Sequence, residues 1–176
     1  VGGIFIDGLG FFFLFPFFAL YMTKHFGVSM IEVGFLFTLL SIGNLIGVPI
    51  GGVLADKFGR KSVFIFGLLA SGASSLLMGL IDNLTLFYII TGFMGILSNV
   101  GGPARQAMVA DLLPNEKRVS GFGMLRVIMN LSAVIGPGIG GLLAAYNYFY
   151  LFASDAILSG ITGIIVFFFI PETKPN

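Results

Sequence analysis

The stretch GVLADKFGRK, residues 52–61, lies between two long apolar segments of the chain. Four of its ten residues are charged, although charged residues make up only 10% of the 176 residues and hydrophobic residues 57%. A soluble domain carries about 25% charged residues, so this chain lacks the polar surface that water requires. The apolar segments are long enough to cross a hydrocarbon core of about 30 Å. The stretch therefore connects two membrane-spanning helices, and the chain is predicted to be an integral membrane protein.

Charged and turn-forming residues divide the whole chain into six apolar segments of this kind. None shows the two-residue alternation of a strand in a membrane β-barrel, so the predicted fold is an all-α membrane protein. The predicted spans 1 to 6 cover about residues 1–22, 29–54, 62–81, 84 to 111–114, 119–145 and 148–170.

The basic residues predict the orientation, because cytoplasmic loops carry an excess of Lys and Arg. One side of the predicted membrane carries seven of them: Lys57, Arg60, Lys61, Arg105, Lys117, Arg118 and Lys174. The opposite side shows only Lys24. Both ends of the segment are therefore predicted to be cytoplasmic, in a multi-pass protein of the plasma (inner) membrane.

The composition argues against several other classes of protein. A net charge of +1 does not suit a nucleic-acid-binding protein. The absence of Cys excludes thiolate metal sites and cysteine nucleophiles. Residues 136–141 match G-x-G-x-x-G, but no strand precedes them, which excludes a dinucleotide-binding loop. No metal-ligand cluster or nucleophile–base pair is found, so neither an enzyme nor a cofactor nor a metal site is expected.

The chain contains a weak internal repeat. An offset of 89 positions aligns residues 34–55 with 123–144, and nine of these 22 positions are identical. The repeat pairs span 2 with span 5, which cross the membrane in opposite directions. It predicts two inverted three-helix units, about residues 1–82 and 83–176, a construction common in secondary transporters.

Small residues recur every four positions on the two repeated spans. Span 2 carries Gly43, Gly47 and Gly51, and span 5 carries Ser132, Gly136 and Gly140. Positions four apart share one helix face, where small side chains allow another backbone to approach closely. Such a face fits either static helix packing or a surface along which helices slide.

Residues 52–61 resemble the signature G-x-L-A-D-[RK]-x-G-R-[RK] of the major facilitator superfamily, with every defining position present. On span 5, Gly136, Pro137, Gly140 and Gly141 resemble the G-P-x-x-G-G motif of the superfamily's antiporters. Residues 103–118 and span 1 also resemble the drug:proton antiporter branch, more loosely. The resemblance implies the amino-terminal six-helix half of a twelve-helix transporter. The chain opens on Val1 rather than Met and without a signal peptide, so we expect a fragment that lacks its first residues. The resemblance implies that the C-terminal half is absent as well.

The signature suggests a charge cluster, and the resemblance implies that it holds the two halves together. Gly52 and Gly59 allow tight turns, and Asp56 can accept hydrogen bonds from a helix N-terminus. Arg60 can bridge Asp56 to a second acid, for which Asp111 is the best candidate. Lys57 and Lys61 are expected to anchor the topology.

Among the charged residues inside predicted spans, Asp7 on span 1 and Arg126 on span 5 are expected to lie at similar depth. A charge at the bilayer centre costs at least about 2.5–3.5 kcal/mol on insertion scales. We expect the two to pair, with Asp7 carrying the coupling proton and Arg126 tuning it. The alternatives are a purely structural pair and an Asp7 that lies near the membrane interface of a truncated helix. Glu32 and Asp155 are expected to face the headgroup region.

Uncharged and basic polar residues in or near the spans are candidates for lining a cavity. They are Asn44, Asn99, Arg105, Gln106 and Asn130. Hydrogen bonds between helices are the alternative explanation for such residues.

These expectations together predict proton-coupled efflux of lipophilic drugs by alternating access. The expected partners are a small lipophilic substrate, the lipid bilayer and the missing half, with H+ as the coupling ion and no nucleic acid. The alternatives are a carrier of a defined metabolite such as a sugar, and a non-transporting six-helix bundle that dimerises.

Overall fold

The computed structural model describes residues 2–173. Within them, six helical segments are long and apolar enough to cross a membrane, which confirms the predicted fold class. Their bounds are Gly2–His25 for span 1, Met30–Phe58 for span 2, Arg60–Leu80 for span 3, Leu84–Leu112 for span 4, Asn115–Tyr146 for span 5 and Phe149–Phe169 for span 6. Lys174, which was used for the orientation, lies outside the described residues.

The signature stretch is almost entirely helical, so the predicted loop at residues 56–61 is wrong. Span 2 continues to Phe58 and span 3 begins at Arg60, which leaves only Gly59 between them. Gly59 has a backbone φ of 100°, a conformation that residues with a Cβ rarely adopt. The chain therefore reverses between two spans at a single glycine.

Span 4 is interrupted near its middle. A helix over Leu84–Leu97 is followed by a 3-10 turn at Ser98–Val100 and a second helix over Gly101–Leu112. Pro103 has no backbone N–H to donate to the carbonyl of Asn99, four residues earlier. The loss of this helical hydrogen bond favours a break at this point. Ser98 Oγ donates to Met94 O at 2.5 Å and Asn99 Nδ2 to Gly95 O at 2.8 Å, so both side chains bond the preceding turn.

The spans pack in a pattern that matches an exchange of the two halves of the chain. Span 3 packs against span 6, span 1 against spans 5 and 6, and span 4 against spans 2 and 3. If span 1 is exchanged with span 4, span 2 with span 5 and span 3 with span 6, the same set of contacting pairs is obtained. The boundaries of the proposed repeat stay a prediction.

The small residues of span 2 lie against the backbone of span 4. A Cβ added to Gly43 would lie 2.6 Å from the carbonyl carbon of Gly95. Gly47 and Gly51 approach the backbone of Ile96 and Val100 in the same way. The stripe is therefore the contact surface between spans 2 and 4, at separations that only glycine allows.

Two buried clusters form the interior of the bundle. One is aromatic and includes Phe18, Tyr21, Phe87 and Phe152. The other lies near the Gly59 turn and includes Ala55, Val63, Phe64, Val100 and Ala104. The outer faces of the spans expose many large apolar side chains, as a helix surrounded by lipid does.

The glycine contacts predict a sharp difference between two Gly→Ala substitutions on span 2. Gly43→Ala forces the backbones of spans 2 and 4 apart, so we expect a loss of unfolding free energy of about 1–3 kcal/mol. Gly34→Ala is the matched control, because nothing lies within 4 Å of the added Cβ. Thermal unfolding midpoints of the full-length protein in detergent measure both; equal midpoints for the two variants would contradict the close packing.

Candidate functional site

A cavity of about 570 Å³ opens among the helices, with walls from all six spans. Much of its wall is apolar and includes Phe11, Phe15, Phe18 and Phe37. The polar part of its wall includes two acids, Asp7 and Asp155, one base, Arg105, and the side chains of Ser41, Asn44, Ser71, Ser75, Ser98 and Asn99. The cavity is thus a largely apolar chamber with a small charged region.

Asp7 lies in this charged region, between span 4 and span 6. Its Oδ2 is 3.8 Å from Nη1 of Arg105, and Ser159 Oγ donates to its Oδ1 at 3.4 Å. The side chains of Asp7 and Arg105 are 24% and 27% exposed. Arg105 reaches the cavity because it follows the interruption of span 4 by one turn.

The predicted pairing of Asp7 with Arg126 is wrong. Arg126 is exposed on the outside of span 5 and makes no ion pair within residues 2–173. Span 5 faces span 1 through Ser132, Gly136 and Gly140. Ser132 Oγ donates to a backbone carbonyl of span 1, and the two glycines lie close to the backbone of span 1. Arg126 precedes Ser132 by six residues, which rotates it by about 120° from this face. Equal depth in the membrane therefore does not bring two residues together.

Three of the predicted cavity residues line the cavity and two do not. Asn44, Asn99 and Arg105 belong to its wall. Gln106 and Asn130 are exposed on the outer faces of their spans. Gln106 follows Arg105 directly, and one residue rotates a helical side chain by about 100°, out of the cavity.

Asp155 belongs to the cavity and was missed by the sequence reasoning. It is 6% exposed rather than facing headgroups, and Ser75 Oγ donates to its Oδ2. The position of Asp155 near the start of span 6 suggested the membrane surface. A usable signal was the spacing of Asp155, Ser159 and Thr162, which places three polar side chains on one face of span 6.

Gly136 and Gly140 of the antiporter-like motif contact span 1 directly. A Cβ on either residue would lie 2.6 Å from an atom of Phe12 or Phe13. Span 5 continues as a helix through Pro137, and Gly141 lies beside the ring of Phe17. The motif thus packs span 5 against the part of span 1 that begins five residues after Asp7.

The structure brings together the three members of the predicted charge cluster. Arg60 forms an ion pair with Asp111, and its Nη2 lies 4.0 Å from Oδ1 of Asp56. The Arg60 side chain is only 15% exposed, whereas Asp56 is 67% exposed. Asp111 is therefore the main partner of Arg60.

Two expectations about the neighbouring residues are wrong. Gly52 lies within span 2 with nothing within 4 Å of an added Cβ, so it makes no tight turn. The carboxylate that accepts a hydrogen bond from the N-terminus of span 3 is that of Glu172 and not that of Asp56. Glu172 Oε1 accepts from the N–H of Lys61 at 3.1 Å, and its Oε2 lies where a Cβ of Gly59 would clash, 2.6 Å away.

Lys61 also contacts the end of span 6. Its Nζ donates to the carbonyl of Phe167 at 2.7 Å and lies 5.2 Å from the centre of that residue's ring. A cation is favourable at a helix C-terminus, where unpaired carbonyls accumulate negative charge. Lys61 and Glu172 thus join the start of span 3 to the end of span 6.

A bundle of apolar helices around a cavity with paired charges has the features of a membrane transport protein. The sequence profile of the Major Facilitator Superfamily matches residues 1–176. The chain belongs to this family of membrane transporters, as the signature at residues 52–61 suggested.

Similar proteins include antiporters and drug-resistance proteins. A protein named Na(+), Li(+), K(+)/H(+) antiporter from Planococcus maritimus is 32% identical over 176 aligned positions. The alignment covers 97% of this chain and 41% of that protein. The quinolone resistance protein NorA of Staphylococcus aureus is 28% identical over 166 residues, 93% of this chain and 42% of NorA. The chain thus spans about two fifths of the length of these relatives.

The fold is also that of a solved structure. The human organic anion transporter MFSD10 (TETRAN) superposes with a TM-score of 0.80 at 19% identity, over 98% of this chain and 46% of that one. This likeness concerns the fold alone.

The environment of Glu172 predicts a pH-dependent contribution to stability. Burial raises the pKa of Glu172, but hydrogen bonds from the backbone N–H groups of Lys61 and Thr173 outweigh it and hold the pKa below its ordinary value. A lowered folded-state pKa stabilises the protein above the unfolded-state pKa, and this stability is lost as the pH falls through the folded-state value. We expect Glu172→Gln to lower the unfolding midpoint at neutral pH and to match the unsubstituted protein in strong acid. The exposed Glu116→Gln is the control; a deficit independent of pH would contradict the charge effect.

Proposed function

We propose that the full-length protein is a proton-coupled antiporter that exports lipophilic drugs by alternating access. The observation that carries this proposal is the ion pair of Asp7 and Arg105 on the wall of a cavity rich in Phe rings. The resemblance to the antiporter motif on span 5 and the relatives named as an antiporter and a quinolone resistance protein support it.

The chemistry of the cavity suits exchange of a proton for a lipophilic substrate. A carboxylate among apolar helices is costly, and the cost is reduced either by a cation or by a proton. Arg105 and the hydroxyl of Ser159 stabilise ionised Asp7, and a proton can take their place when the contacts change. Phe faces bind apolar substrates and attract cations through their ring electrons. Binding of the substrate and of the proton can therefore compete at Asp7.

Exchange of monovalent metal cations for protons is a second candidate. Its specific support is the relative named Na(+), Li(+), K(+)/H(+) antiporter, which is 32% identical to this chain. This activity uses the same carboxylate, but the large Phe-lined wall would then have no substrate to contact. Transport of Na+ and of a lipophilic cation in the same vesicles separates the two candidates.

We further propose that Arg60, Asp56 and Asp111 hold this half against the second, C-terminal half in one conformation. Asp111 fixes the buried guanidinium, and Asp56 is exposed and free to contact a second surface. The second half would supply the partner of Asp56, and its separation from this half would open the cavity on the side of Arg60.

The function is tested by replacing Asp7. We expect everted vesicles with the full-length protein to accumulate a fluorescent lipophilic cation only with a pH gradient, and Asp7→Asn to reduce accumulation to that of empty vesicles. The control is Asp82→Asn, an exposed acid outside the cavity. Full gradient-driven transport by Asp7→Asn would refute the coupling role.

The charge cluster is tested by labelling from the side of Arg60. An otherwise Cys-free full-length protein with Asn99→Cys reports how far the cavity is open on that side. Asp111→Asn is expected to raise the labelling rate about fivefold, because a partly exposed ion pair contributes about 1 kcal/mol. Glu116→Gln, which lies outside the cluster, is the control; an unchanged rate in Asp111→Asn would rule out the holding role.

A further inference from the structure

The cavity contains a second carboxyl group that the proposed exchange does not use. Asp155 and Asp7 line the same cavity, and Arg105 is its one basic residue among the described residues. Asp155 is 6% exposed and makes no ion pair in the described part of the chain. Its side-chain partner is the hydroxyl of Ser75 on span 3. An ionisable group buried in a membrane span in this way is costly and indicates a function.

The two carboxyl groups lie about one helical turn apart along both helices that hold them. On span 6, Asp155 precedes Ser159 by four residues, and Ser159 donates to Asp7 at 3.4 Å. On span 1, Gly10 follows Asp7 by three residues and packs against Asp155; a Cβ there would lie 2.6 Å from Asp155 Oδ1. The missing side chain of Gly10 thus makes room for Asp155 next to Asp7.

The charges of this region balance only when one proton is bound. Arg105 is always positively charged, since arginine does not lose its proton in proteins. With both carboxyl groups ionised, Asp7, Asp155 and Arg105 sum to one negative charge; one added proton makes the sum zero. An apolar environment disfavours net charge strongly. Two acids this close titrate as a coupled pair and not as independent groups.

We propose that Asp155 is a second proton-carrying residue and that Asp7 and Asp155 hold one proton between them, which a monovalent lipophilic cation displaces. The cation enters the cavity, the O–H bond of the carboxyl group breaks, and the proton leaves to water. The charge of the region is zero before and after the exchange. This inference rests on the proposed antiport and adds to it a second proton-carrying residue on span 6.

A structural role of Asp155 makes a different prediction. If Asp155 served only to accept the hydrogen bond of Ser75, asparagine, which has the same shape and a carbonyl acceptor, would replace it. A proton-carrying role requires the acid itself. Asp155→Asn therefore separates the two roles.

The test measures proton release when tetraphenylphosphonium binds to the purified full-length protein in weakly buffered detergent, with a pH indicator. The unsubstituted protein is expected to release about one proton per bound cation at neutral pH, and Asp155→Asn to bind the cation without release. Asp82→Asn is the matched control and should behave like the unsubstituted protein. Release from Asp155→Asn equal to that of the unsubstituted protein would overturn the role of Asp155. If Asp7→Asn then abolished release, the proposed antiport would stand.

The same measurement recognises failure of the proposed function itself. An unsubstituted protein that binds the cation at every pH without releasing a proton would contradict proton coupling, whatever Asp155 does. The two proposals therefore fail by different results.

A second pair of variants keeps both acids in place, for use if Asp155→Asn does not fold. Ser75→Ala removes the donor to Asp155 and should move proton release toward higher pH, because the lost hydrogen bond stabilised the ionised form. Ser74→Ala, the neighbouring serine on span 3 and not part of the cavity wall, is the control and should leave the profile unchanged. Identical profiles for the two variants would contradict a proton on Asp155.

Discussion

The cost of placing charge among apolar helices is the constraint on which the arrangement of the cavity depends. Asp7 and Arg105 lie in the wall of a cavity lined largely by Phe rings and aliphatic groups, which do not solvate charge as water does. The carboxylate therefore needs a cation, a hydroxyl or a proton beside it. Arg105 and Ser159 provide the first two in this structure. A site whose charge can be balanced in more than one way is one in which a proton and a substrate can compete.

The packing of the helices delivers these groups to one place. Span 4 breaks before Pro103, and the second helix begins at Gly101, so that Arg105 enters the cavity. Glycine contacts hold span 4 against span 2 and span 5 against span 1, with backbones closer than any larger residue permits. Changes in these close contacts would move Asp7 relative to Arg105. The small residues thus connect helix packing with the chemistry of the site.

The Gly59 end of the bundle combines two different electrostatic arrangements. Glu172 and Lys61 join the start of span 3 to the end of span 6 through hydrogen bonds with backbone groups. Arg60 instead pairs with Asp111 and leaves Asp56 exposed. The signature stretch therefore contains residues that maintain this half and a residue available for contact outside it.

The membrane class, the six spans, the signature of the family and the position of Asp7 inside a span could all be predicted from the sequence. These follow from composition, segment length and motif spacing, which are properties of the chain read along one dimension. The approximate depth of a residue also follows, because each helical residue advances by a constant rise of about 1.5 Å.

Which side chains meet could not be predicted in this way and follows from the packing of the helices. Arg126 was expected at the depth of Asp7 and beside it but is exposed on span 5, whereas Asp155 was expected at the surface and lines the cavity. Gln106 and Arg105 are neighbours in sequence and point in different directions. The physical reason is that a helical side chain turns by about 100° at each residue. The face that meets the cavity is then fixed by which helices pack together, and in this bundle glycines on spans distant in sequence decide that packing.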